Sequence, residues 1–352
     1  MRILTIFLIL LIVPVNATST NSLRNTSSVS TERIEQFVRD QLDLGPRIPG
    51  SEGSRNFRGW IENLYSSSNT WEVKSQVFEY RNVTATNILI KSKGMEFPKY
   101  LIGAHYDTRA RATQEDPNIP VPGANDGASG VAAILELSIL LSRYNSSEIG
   151  FVLVDAEDQG NDGGGYGMDG WDWIIGSTYF VDNMSQEEKE SLRYFILLDM
   201  IGNPDLKLKY EGYSTDWLKE EIWSDAATLG YEDTFIPEKG VYLIDDHKPF
   251  LNSGIPAADI IDFESYEEWH TTHDNIDAIS IDSIAIVTDV IQYFLISNLN
   301  LTEVSTTTET LHTSSANLSF SSQKKLNHPL FSVLSLVFLV IIIRRKYTRS
   351  VF

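Results

Sequence analysis

Apolar positions along the chain follow two periods. Ile34, Phe37, Val38 and Leu42 recur at helical spacing, and Gly45-Pro46 ends the run, so a helix is expected there. Phe57, Trp60, Ile61 and Leu64 repeat the pattern in a second helix. Residues 71–80 and 86–90 are rich in β-formers and read as strands. Apolar runs at 100–104, 151–154, 194–198 and 257–261 are short and bounded by polar or glycine residues, which suits buried strands. A helical run follows Asp126, and Ile281, Ile284, Ala285, Val287, Ile291 and Phe294 suit a long amphipathic or buried helix. Strands alternating with helices predict an α/β fold: an α/β/α sandwich around a largely parallel sheet.

The short runs end in chemistry. His105 and Asp107 follow the first, Asp155, Glu157 and Asp158 the second, Asp199 the third and Asp262 the fourth. Open α/β sheets form their sites where strands stop. Solvated turns collect the same residue types, so the spacing alone leaves both readings open. The glycine-rich stretch 160–170 carries Asp162 and Asp169 and lacks the Lys and Ser/Thr of a P-loop, so it is expected as a pocket rim leading to Trp171 and Trp173.

Composition narrows the partners. A formal charge of −20 repels nucleic-acid backbones, which sets nucleic-acid binding aside. The chain has no cysteine, so disulfides and thiolate metal sites are impossible and any metal must be held by His and carboxylate. The 352 residues allow one domain of roughly 250 residues with appendages.

The ends read as those appendages. Arg2 followed by apolar residues 3–13 and a small-residue cleavage point predicts a signal peptide over residues 1–17, then a linker over 18–30. The catalytic domain is expected over 31–300, a Ser/Thr-rich stalk over 301–327, a C-terminal membrane anchor over 328–345 and a basic tail over 346–352. The uncharged core of that anchor has fifteen residues, short of the usual requirement of about 20, but Arg344, Arg345 and Lys346 match the positive-inside rule. This places the protein as exported, on the extracellular face of the membrane, single-pass. Asn25, Asn82, Asn145, Asn183, Asn300 and Asn317 begin Asn-x-Ser/Thr triplets open to glycosylation.

His105, Asp126, Asp158 and Asp199 lie at predicted strand ends or at the helix turn beside them, and His270 follows the last strand. Two imidazoles and three carboxylates without a thiol suit Zn²⁺, with Mn²⁺ and Co²⁺ as alternatives. Glu157, next to a ligand, is a candidate base for a metal-activated water. Asp107 is placed to orient the His105 imidazole.

In this order the residues resemble the secreted zinc aminopeptidases with a paired-metal site and their relatives, the glutaminyl cyclases. The resemblance runs from about Leu44 to Asp277 through LGPRIPGSEG (44–53), GAHYD (103–107), GANDGASGVAAILELS (123–138), DAED (155–158), GSTYF (176–180), LLDMIG (197–202), DDHKPFLNSGIP (245–256) and WHTTHDNID (269–277). It implies a mixed sheet of about eight strands. It implies that His105, Asp126 and His270 hold one zinc, with Asp126 as the bridge to a second zinc on Asp158 and Asp199. It implies Glu157 as the general acid/base. Asp245 and Trp269 look cyclase-like, Asp245 sharing hydrogen bonds with Asp199 near the scissile amide and Trp269 lining the substrate pocket. The departures are Asp158, where many relatives have Glu, and Gly163, where cyclases carry a pocket Trp that Trp171 or Trp173 would have to replace.

Three readings follow. An aminopeptidase hydrolyses N-terminal residues of peptides with two zincs. A glutaminyl-peptide cyclotransferase forms N-terminal pyroglutamate with one zinc. A binding module keeps the fold without activity, against which the full ligand set and Glu157 argue.

Overall fold

The computed structural model describes residues 29–161 and 167–304. The expected signal peptide, most of the linker, the stalk beyond residue 304, the anchor, the basic tail and Asp162 lie outside the described residues.

Two capped helices open the domain. In α1 (Thr31–Asp43) the Ser30 hydroxyl accepts from the Arg33 amide, and in α2 (Glu52–Tyr65) the Ser51 hydroxyl accepts from that of Ser54. β1 (Trp71–Tyr80) and β2 (Val83–Ser92) form a hairpin whose two turn residues, Arg81 and Asn82, both have positive φ. That turn extends the second strand beyond the 86–90 expected from residue types. β3 (Tyr100–His105), α3 (Ala128–Leu141), β4 (Ile149–Val154), α4 (Ile175–Asp182), α5 (Gln186–Ser191) and β5 (Tyr194–Asp199) follow. After β6 (Leu208–Tyr210) come α6 (Asp216–Leu229), β7 (Phe235–Lys239), α7 (Lys248–Asn252), β8 (Ala257–Ile261) and α8 (Ile281–Asn298).

The central sheet has six strands in the order β1-β2-β4-β3-β5-β8, not the eight expected. β6 and β7 pair with each other in a separate two-stranded sheet. Pairing is parallel among β4, β3, β5 and β8 and antiparallel from β4 outward to β2 and β1.

The parallel strands are buried on both faces, which is why they read as continuous apolar runs. Ile102, Ala104, Phe151, Leu153, Ile196 and Leu198 join the larger core with α1, α3 and α8. Their alternates Leu101, Val152, Val154, Phe195 and Leu197 face Phe180 of α4 and Phe250 of α7. α8 is long and apolar enough to cross a membrane, but half of it is buried inside the domain, with Ile284, Val287, Ile291 and Phe294 in the core.

Close packing of α3 on the sheet rests on Gly130. A Cβ there would stand 2.1 Å from the Leu198 carbonyl oxygen and 2.9 Å from the Ala104 Cβ. Gly130→Ala is therefore expected to destabilise by about 1–3 kcal/mol, because backbone must move. Gly59→Ala, where a Cβ meets nothing within 4 Å on an exposed face of α2, should instead stabilise by about 0.5–1 kcal/mol. Thermal unfolding of the two variants checks this contrast; equal melting temperatures would refute the tight α3 seat.

Candidate active site

The register of the parallel strands assembles the site. Gly103 pairs with Leu197, so two residues further on His105 and Asp199 end β3 and β5 side by side. Just past them the chain turns sharply, with Met200 at φ 44° and Ala156, between Asp155 and Glu157, at φ 62°. His270 itself sits at φ 58°. Non-glycine residues held in the left-handed region are strained, and such strain concentrates at functional sites.

Two metal-competent groups share one carboxylate. His105 Nε2 lies 3.1 Å from Asp126 Oδ1 and 3.1 Å from Asp199 Oδ1. His270 Nε2 lies 3.0 Å from Asp158 Oδ1 and 3.7 Å from Asp126 Oδ2. His105, Asp126 and Asp199 thus form one group, and Asp126, Asp158 and His270 the other, all buried. The resemblance put both histidines on one ion. The structure instead pairs each with a different carboxylate, because β3 and β5 run side by side while His270 reaches the loop that follows β4.

The donor set fits a cation. Asp126 Oδ2 and Asp158 Oδ2 are buried without a hydrogen-bond partner, and such atoms are costly unless something fills them. His105 Nδ1 is occupied by the Asp107 carbonyl at 3.2 Å, leaving Nε2 to face two carboxylates. Imidazole nitrogen and carboxylate oxygens are the ligands zinc takes.

Electrostatics reflect this crowding. Burial raises Asp158 to about 6 against the pull of Arg109 and His105. Burial, then Asp199, raises Asp245 to about 7. Glu157 is pushed well above the usual carboxylate range, first by burial and then by Asp245, Asp158 and Asp246, with His105 opposing. Burial works against charge on His105, but Asp199, Asp107 and Asp126 outweigh it and raise its pKa. Burial lowers His270 to about 3. Asp245 thus acts on Glu157 and is itself acted on by Asp199.

Asp107 lies under the site, but mainly as a backbone clamp. Its carboxylate accepts from the Glu157 amide at 3.0 Å, the Asp158 amide at 3.2 Å and the Gln159 side chain at 2.9 Å, and stands 3.6 Å from His105 Nδ1. Trp269 stacks on the His270 ring at 3.7 Å. Trp173 lies parallel to His270 at 6.2 Å, whereas Trp171 packs edge-on to Tyr80 away from it. Of the two tryptophans weighed from sequence, Trp173 is the one beside the site.

Three supporting residues carried no signal in the apolar pattern. Arg47 is fully buried and donates to the carbonyls of Tyr106 (2.9 Å), Pro122 (3.2 Å) and Gly123 (2.7 Å), stapling the loop that carries Asp126 to the end of β3. Burial lowers it to about 10, and Asp274, Asp107 and Asp126 keep it charged. Asp274 accepts from the amides of Asn125 (2.8 Å) and Asp126 (3.1 Å) and from the Tyr266 hydroxyl (2.6 Å). Arg109 donates to Asp158 Oδ1 at 3.1 Å. Arg47 and Asp274 did lie inside the quoted GPRIPG and WHTTHDNID stretches; a polar residue within an otherwise glycine- and ligand-bearing motif was the available clue.

The chain is similar in sequence and fold to known proteins. An aminopeptidase of Bacillus subtilis is 29% identical over 216 residues, 57% of this chain and 42% of that protein. A glutaminyl-peptide cyclotransferase of the snake Boiga irregularis is 26% identical over 334 residues, 82% of this chain and 87% of that protein. The solved glutaminyl cyclase of Bacteroides thetaiotaomicron superposes with a TM-score of 0.70 at 29% identity, covering 77% of this chain and 98% of that one. The chain therefore spans under half of the matched aminopeptidase but most of both cyclases. Residues 87–295, well over half of the chain, match Peptidase family M28, and the protein belongs to that family of enzymes.

Proposed function

We propose that the chain is a zinc-dependent aminopeptidase acting on the N-termini of peptides. The observation that carries this reading is the pair of ligand groups meeting at Asp126, since a shared carboxylate is what two adjacent ions need. His105, Asp126 and Asp199 would hold one zinc and Asp126, Asp158 and His270 the other. Zinc supplies there a Lewis acid for the scissile carbonyl and a lowered pKa for water.

The chain's own residues manage protons and position. Glu157 takes a proton from the attacking water and returns it to the leaving amide nitrogen as the C–N bond breaks. Its place in the chain next to the ligand Asp158, itself buried, keeps that carboxylate beside the metal groups for both steps. Asp245 and Asp246, buried beside it, favour a positively charged N-terminus. Trp269, against His270, gives the first side chain an apolar wall.

The second reading is a glutaminyl-peptide cyclotransferase with one zinc, favoured by Trp269 on the ligand imidazole and by Asp245 close enough to Asp199 to be raised by it. There the substrate's α-amine attacks its own γ-amide carbon, Glu157 takes the proton that the new C–N bond displaces from the amine and passes it to the γ-nitrogen, and the γ C–N bond breaks to release ammonia. Zinc on the described residues, export and a C-terminal anchor complete the proposal.

Leu-initiated and Gln-initiated peptides offered side by side separate the two readings. Free leucine is expected from the first; ammonia released from an otherwise intact chain, with no free leucine, would replace the peptidase reading by the cyclase one. Glu157→Gln should retain zinc and lose roughly 10²- to 10⁴-fold in kcat. A variant with bound zinc and near-native turnover would remove Glu157 from its role. If the chain is exported through a glycosylating compartment, the triplet asparagines Asn82, Asn145, Asn183 and Asn300, all exposed, should carry sugar. Glycosidase treatment of the native protein should lower its apparent mass, and an unchanged mass would count against that route.

A further inference from the structure

Arg109 is 2% exposed and commits its guanidinium to the segment after β4. Nη1 donates to the Asp158 carbonyl at 2.9 Å and to Asp158 Oδ1 at 3.1 Å, and Nη2 donates to the Gly160 carbonyl at 3.1 Å. Nε reaches Thr113 Oγ1 at 3.4 Å, and the guanidinium lies 4.7 Å over the Trp173 ring. Trp173 is in turn parallel to His270, whose Nε2 is 3.0 Å from the same Asp158 oxygen.

The clamp leaves Asp158 with one committed oxygen and one buried oxygen without a partner. A planar donor fork that grips a side chain and its own backbone carbonyl together fixes both the reach and the plane of the carboxylate. An aspartate has one methylene fewer than a glutamate with which to find a metal, so it depends more on where its backbone is held.

We propose that Arg109 is a positioning residue for the metal centre: by holding Asp158 Oδ1 and the 158–160 backbone, it fixes the Asp158 carboxylate as a ligand to the ion shared with Asp126 and His270. This rests on the metal reading above and extends it to a residue that touches neither ion nor substrate. Trp173 closes the stack, so Arg109, Trp173 and His270 form one rigid wall behind the second ligand group.

The test is zinc affinity of the purified full chain, measured by competition with a chromophoric chelator, for the binding step that His270→Ala abolishes. Arg109→Gln is expected to weaken that step about 10- to 100-fold, the usual loss on removing a partner that orients a ligand. Arg109→Lys, which keeps the charge but cannot span both acceptors, should also weaken it and covers the case in which the glutamine variant does not fold. Adding Asp158→Glu to the weakened variant should restore most of the affinity, because a longer arm reaches without the clamp. Native affinity in the variants overturns the proposal, and so does a loss that Asp158→Glu leaves unrepaired, which marks a general structural role. A wild-type chain that takes up no zinc overturns the metal reading and this inference together.

Discussion

Negative charge gathered where the parallel strands end is the constraint the rest of this structure answers to. Asp126, Asp158, Asp199, Glu157, Asp245 and Asp246 are all buried, and they act on one another electrostatically. Two carboxylates about 4 Å apart at an effective dielectric near 20 repel by roughly 4 kcal/mol. A single hydrogen bond returns only about 1 kcal/mol. Hydrogen bonds alone therefore cannot hold the cluster, and it needs protons or cations. Burial first, and the neighbouring acids after it, raise the pKa values of Glu157, Asp158, Asp199 and Asp245. Zinc held by the two ligand groups that share Asp126 would remove the conflict at its centre.

The scaffold meets this constraint with fixed positive groups rather than mobile ones. Arg47 and Arg109 are buried and engage mostly backbone carbonyls, so their charge stays while their donors are used to tie loops together. Asp107 and Asp274 do the converse, accepting backbone amides beside the ligands. Each ligand loop is thus gripped from a neighbouring loop. A sheet packed on both faces gives the strand ends the surroundings in which strained turns at Ala156 and Met200 can persist.

What the sequence made legible follows from this arrangement. Strands buried on both faces leave unbroken apolar runs, so β3, β4, β5 and β8 and the polar residues ending them could be read directly. Helices α1, α2, α3 and α8 carried clear spacing or apolar runs. β6 and β7 were invisible as a separate sheet: β6 has three residues, and β7 is a half-exposed run with Pro237 and charged neighbours. The strand number followed the resemblance and overcounted the central sheet for that reason. The five proposed ligands converge, but the way they divide into groups was not legible, because it depends on which strands are neighbours. Arg47, Arg109 and Asp274 act through backbone atoms of distant loops, and contacts of that kind leave no periodic trace.

Hydrolysis and cyclisation make nearly identical demands on this cleft. Both polarise an amide carbonyl, both break a C–N bond, and both need a buried carboxylate to carry a proton to the departing nitrogen. They differ in the nucleophile, and so in whether water may stand beside the acyl carbon. The proposed ligand set and Glu157 would serve either reaction, and so would the acidic pair Asp245 and Asp246. An apolar cluster of Met200, Ile261 and Tyr266, packed with Leu243, Phe263 and Trp269, reaches His270 through the Trp269 ring. A wall that encloses the substrate's first side chain and expels water favours attack by the substrate's own amine. One that leaves room for a solvent molecule against Glu157 favours hydrolysis. Which of the two reactions runs would therefore turn on hydration at the acyl carbon as well as on how many ions the groups meeting at Asp126 hold.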